Sequence, residues 1–214
     1  MRIKKFYPNE ADDLHCLQAS VRMVYESLTD TAMSVAEAER FTGFVAGEQT
    51  WPFDTMINFA EAGFDVVNIE VIDNELFASD PKAAVVAEFG EEMWSHFQTV
   101  SDISRAQESA RRCVEHPNIR FQRKVPTVND LNNEITLNKF IICNINYKEL
   151  ADQEGYNGHF VVVENVEPDE TIFLKNPGLP PVENQWVSKE KFEKAWYYPN
   201  ERAGNIIAVG RSGS

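Results

Sequence analysis

The chain has 214 residues, 43% hydrophobic and 11% aromatic, which suits one globular domain with its own core and excludes a disordered chain. Its 34 acidic against 20 basic side chains give a net charge of −14, which disfavours nucleic acid and anionic membranes as partners and is compatible with basic peptides. No run approaches the roughly 20 apolar residues that span a bilayer, and Met1-Arg2-Ile3-Lys4-Lys5 leads into Phe6-Tyr7-Pro8 instead of a signal core, so the expectation is a cytoplasmic chain starting at Met1.

In chain order, the first predicted element is a helix around Cys16. Leu17, Val21, Val24 and Leu28 recur at helical spacing, with Asp12 and Asp13 available as caps or first-turn acids. Cys16 stands at the start of that helix, where the dipole favours a thiolate. His15 is expected to point about 100° away from it around the helix, facing solvent or the loop. A second helix is predicted from Ser34 to about Phe41. A third opens at Thr50-Trp51-Pro52-Phe53 and is stopped by Gly63, ahead of a strand over Asp65–Glu70. Trp51 is expected in the core or as a staple, with a place in the substrate cleft as the alternative.

The stretch from about 74 to 118 reads as helical. Asp80-Pro81 is a helix start with proline at its first position, and residues 101–113 are rich in Ala, Arg and Glu. His96 and His116 fall there and are expected on the surface. Further on, Gly158-His159-Phe160-Val161-Val162-Val163 is a β-branched strand opened by a histidine. A turn at Glu167-Pro168-Asp169-Glu170 precedes a partner strand, Thr171–Lys175, that closes in Asn176-Pro177-Gly178. In that hairpin the end of the second strand lies near the start of the first. Asn176 is therefore placed to orient His159, and Cys16, His159 and Asn176 have the types needed for nucleophile, base and orienter.

Three cysteines fit a reducing compartment without structural disulfides. Cys113 and Cys143 read as small buried hydrophobes. His15, Cys16 and His159 lack the paired Cys-x-x-Cys spacing of a zinc site, so no metal is expected. Oligomeric state is not legible.

This order of motifs resembles the papain-like cysteine peptidases, and among them the bacterial double-glycine leader peptidases and their family thirty-nine-like relatives. Val187–Trp196 resembles the family's late helix, Gly204–Val209 its last strand, and the stretches from Thr127 and through Phe140–Asn146 the helix and strand before the histidine strand. The resemblance implies an α+β, papain-like domain over 1–214, with an N-terminal helical half carrying the nucleophile helix on a C-terminal antiparallel sheet and a helical insertion at about 74–118. It also implies a cysteine-dependent hydrolase, a peptidase or isopeptidase, acting on a peptide or protein substrate through a thioester at Cys16 and needing no cofactor. An acyl or amide transferase on the same triad and a catalytically inactive binding module are the alternatives.

The chain departs from the family twice. Cys16-Leu17-Gln18-Ala19 stands where the family has Cys-Gly-Pro-Ala, and Glu10 stands where a glutamine about six residues upstream completes the oxyanion hole. An ionised Glu10 would repel an oxyanion, so Asn9, whose amide can donate, is the expected substitute.

Overall fold

The structure is a computed structural model that describes residues 2–211; the reading of Met1 as the chain start lies outside them. The N-terminal half packs α1 (Cys16–Thr29), α2 (Val35–Thr42) and α3 (Phe53–Glu61) together. Leu17, Val21, Val24 and Leu28 are all buried, as their spacing requires. Ser34 and Glu37 cap α2 reciprocally, fixing its start. At α1 the expectation is corrected. His15 is the N-cap, no side chain caps the helix, and no acid occupies its first turn. Asp13 cannot continue a helix because its backbone is left-handed, with φ 61°.

The strand β1 (Phe64–Glu70) leads into α4 (Asn74–Ser79), α5 (Pro81–Val100) and α6 (Ile103–Val114). Asp80 caps α5 through the Ala83 N–H with Pro81 at its start, while Gly90, at φ 83° and ψ 172°, interrupts the helix midway. His96 is not the surface residue the sequence suggested. It is partly buried on α5, its ring 5.2 Å from that of Tyr156 and its Nε2 enclosed without a partner; this burial lowers its pKa. His116 lies beyond the end of α6, where its Nδ1 accepts the Asn118 N–H.

After β2 (Ile119–Arg123) and α7 (Val128–Thr136), the chain runs through β3 (Phe140–Asn146), α8 (Tyr147–Leu150), β4 (Gly158–Val166), β5 (Ile172–Asn176), β6 (Val182–Val187), α9 (Lys189–Trp196) and β7 (Asn205–Arg211). The seven strands form one sheet in the order β2-β1-β7-β3-β4-β5-β6. Every pairing is antiparallel except β1 with β2, which is parallel.

Alternation along the strands divides the core. Val66, Ile142, Val162 and Ile207 face α1 and the other helices of the first half, and Ile141, Cys143, Val161 and Ala208 face Phe192 and Trp196 of α9 and Leu131 of α7. The helical half therefore sits on one sheet face, with the start of α1 against β4. Cys113 and Cys143 are fully buried in these two layers. Among the described residues no helix is long and apolar enough to cross a membrane.

Candidate active site

The approach to α1 is held from both sides. The Asn9 N–H donates to the Pro177 carbonyl at 2.8 Å, tying the N-terminal segment to the chain just beyond β5. The Asn9 Oδ1 accepts the backbone N–H groups of Glu10 at 3.0 Å and His15 at 2.8 Å, and its Nδ2 donates to Asp13 Oδ1 at 2.9 Å. Asn9 thus takes up a backbone donor at the helix entrance that would otherwise be unsatisfied.

His15 is buried, contrary to the expectation that it faces solvent or the loop. Its Nδ1 meets Asp12 at 2.9 Å, its Nε2 meets Glu39 at 3.0 Å, and its ring lies 4.1 Å from that of Phe44. Burial opposes its charge, but the hydrogen bonds to Glu39 and Asp12 outweigh it and raise its pKa. Both ring nitrogens are engaged, so His15 bolts the loop to α2 and takes no part in a site with Cys16.

Cys16 is 8% exposed. The backbone N–H of Phe160, the residue after His159, favours a thiolate there. One turn on, Ser20 Oγ donates to the Phe160 carbonyl at 3.4 Å, and this tie with the packing of α1 on β4 brings the start of α1 to the histidine strand. The electrostatics differ from the expectation of a thiolate-favouring helix start. Burial pushes the thiol up to about 11 against the help of the Phe160 N–H, and the negative charge of Asp13 pushes the same way.

His159 is 2% exposed and Asn176 likewise. The His159 Nε2 lies 2.8 Å from Asn176 Oδ1, the contact that the hairpin register implied. Asn176 is fixed in turn: its Oδ1 also accepts the Gly178 N–H at 3.0 Å, and its Nδ2 donates to Gln185 Oε1 at 2.8 Å. With the amide nitrogen committed to Gln185, it is the oxygen that faces the imidazole, so Nε2 carries the hydrogen and Nδ1 is the basic nitrogen. Tyr147 packs edge-on to His159, 5.1 Å between ring centroids, and its hydroxyl donates to the Leu179 carbonyl. Burial lowers the His159 pKa to about 4, opposed by the Asn176 hydrogen bond and by the Asp13 charge. Burial thus opposes charge on both groups, thiolate and imidazolium alike.

Sequence reasoning missed Gln185 and Gly178. Gln185 lies on β6, whose Val-Glu-Asn-Gln-Trp-Val composition carries little strand signal. Gly178 is required by space: a Cβ there would come within 2.8 Å of Tyr147 Cε2, 3.0 Å of Asn176 Oδ1 and 3.3 Å of His159 Nε2. Asp13 reads in the sequence as a cap or first-turn acid, yet its exposed carboxylate is the charge that both Cys16 and His159 feel.

A cleft of about 120 Å³ lies between the helical half and the sheet, lined by Phe160 and Tyr156 and not by Cys16, His159 or Asn176 themselves. Trp51, expected in the core or as a staple with the cleft as the alternative, lines it as well. Its far end is polar, with Asn68, Glu70 and Asn74.

No family model matches the chain, and no curated protein matches it in sequence. Among solved structures it is similar to the peptidase domain of Streptococcus ComA, described as a bifunctional ABC transporter involved in a quorum-sensing pathway. The TM-score is 0.51 at 12% identity, over 97% of this chain and 98% of that domain. At that identity the likeness shows the fold, a papain-like arrangement of helical half and sheet.

Proposed function

We propose that the protein is a papain-like cysteine hydrolase acting on peptide or isopeptide bonds, with Cys16 as nucleophile, His159 as general base and Asn176 as its orienter. The observation that carries this reading is the His159–Asn176 hydrogen bond at 2.8 Å at the start of β4, the strand on which the Cys16 helix packs. It leaves Nδ1 of His159 as the nitrogen that takes the thiol proton and later returns it to the leaving amine. With burial opposing both charges, the two groups are proposed to rest neutral, so that proton transfer accompanies attack on the carbonyl, as in a serine enzyme, instead of preceding it as a standing ion pair.

The thioester so formed is released by water. The backbone N–H of Cys16 is the first donor for the oxyanion. Asn9 contributes the second through the Nδ2 hydrogen not given to Asp13. Transfer to an amine in place of water uses the same acyl-enzyme. The proposed substrate is a peptide or protein, met as a single papain-like domain whose residues 74–118 are a helical insertion.

A mixed peptide library digested at pH 7 tests the reading. Wild type is expected to release new termini, and Cys16→Ala to release none while keeping its fold by circular dichroism. Equal cleavage by Cys16→Ala would end the proposal. The raised thiol pKa favours one other reading, a papain-like fold used as a binding module; retained peptide binding by a wild type that cleaves nothing would establish it.

A further inference from the structure

The cleft that Phe160 borders, one residue beyond His159, has a chemistry that the hydrolase reading leaves unused. Its walls are aromatic, including Trp51, Phe53, Phe97 and Tyr198, and its far end holds Glu70 and Asn74. Asn74 is 8% exposed. Its Nδ2 donates to Asn68 Oδ1 and to Glu70 Oε1, each at 3.2 Å. Those two bonds fix the orientation of the amide, and they leave its Oδ1 buried without a partner.

A buried, unsatisfied acceptor is costly. Here it stands beside a carboxyl group in an aromatic-walled cleft of about 120 Å³, room for one side chain. Both groups accept, so an occupant that completes the site must donate. An apolar side chain would leave Asn74 Oδ1 unsatisfied, and an acidic one would add a second negative charge beside Glu70, whose ionisation burial already opposes and a cation would favour. A cationic head satisfies both, while the aromatic walls cover its alkyl stem and face its charge.

We infer that this cleft takes a lysine or arginine side chain of the peptide substrate, with its cationic head donating to Glu70 and Asn74 Oδ1. The inference rests on the hydrolase reading for the identity of the occupant as substrate. The negative charge of the whole chain, −14, draws basic peptides toward the cleft.

The test is binding in the Cys16→Ala background, where no chemistry interferes. Blocked tripeptides, acetyl-Ala-Xaa-Ala amides with Xaa lysine, arginine or norleucine, are titrated calorimetrically. The lysine or arginine peptide is expected to bind at least about ten-fold more tightly than the norleucine peptide, the scale of a charge-assisted hydrogen bond. Glu70→Gln is expected to erase that preference and Asn74→Leu to reduce it, so an unfolded variant of one residue leaves the other as the test. Stronger binding of the lysine peptide than the arginine peptide, or the reverse, tells which head fits. Equal binding of norleucine, absence of binding by any of the three, or a preference that survives Glu70→Gln overturns the inference. Failure of the hydrolase reading shows separately, as a wild type without cleavage.

Discussion

At the scale of single residues, the site is governed by burial. The thiol at about 11 and the imidazole at about 4 predict that iodoacetamide modifies Cys16 slowly at neutral pH, with a rate that climbs through the alkaline range toward pH 11. A plateau of fast labelling below pH 7 would show a standing ion pair and contradict the neutral resting state. Asp13 opposes the thiolate from the mouth of the site. Asp13→Asn is therefore expected to raise the labelling rate about two- to five-fold at fixed pH and low salt, and the gain should shrink as salt screens the charge. Gly178→Ala drives a Cβ against Tyr147 and the His159–Asn176 pair. Turnover is expected to fall about ten- to a hundred-fold with the melting temperature little changed, because small displacements of catalytic groups are expensive in rate.

At the scale of elements, the site lies where three of them end or begin: the start of α1, the start of β4 and the end of β5. Much of this was legible. The apolar spacing of Leu17 to Leu28 and the β-branched run after His159 are strong local signals, and the hairpin turn at 167–170 fixes which ends meet, so Asn176 reaches His159 without any knowledge of the tertiary fold. What could not be read depends on contacts distant in sequence. His15 looks like an exposed helix-start residue until Glu39 and Phe44, from another element, enclose it. The short strands β2 and β6 have polar sequences and are strands because a neighbour pairs with them. The desolvation of Cys16 likewise comes from packing on β4, which no local pattern records. Gly90 is an element-scale device, breaking α5 where its second half lines the cleft with Met93 and Phe97. Its φ and ψ are open almost only to glycine, and nothing lies within 4 Å of a Cβ placed there. Gly90→Ala should thus cost about 1–3 kcal/mol through backbone strain alone, read from denaturant melts.

At the scale of the whole molecule, the helical half packed on one sheet face creates both the cleft and the burial that tunes it. Two buried groups then bind stability to pH with opposite signs. His159 has a folded pKa below its ordinary 6.5, so its contribution is present above pH 6.5 and is lost as pH falls toward 4, where the unfolded chain takes up the proton first. Glu70, raised by burial to about 7 from 4.5, contributes below pH 4.5 and loses that contribution as pH rises to 7. Thermal melts between pH 4 and 6.5 should show a shallower acid loss in His159→Gln than in wild type, whereas Glu70→Gln should lack the opposing term. The most direct test of the central claim is to incubate the protein at pH 7 with an activated peptidyl ester and locate the acyl group by mass spectrometry. A thioester on Cys16 is expected, forming slowly in His159→Ala and turning over in wild type. Acylation confined to other nucleophiles, or a Cys16 adduct indifferent to His159, would contradict that claim.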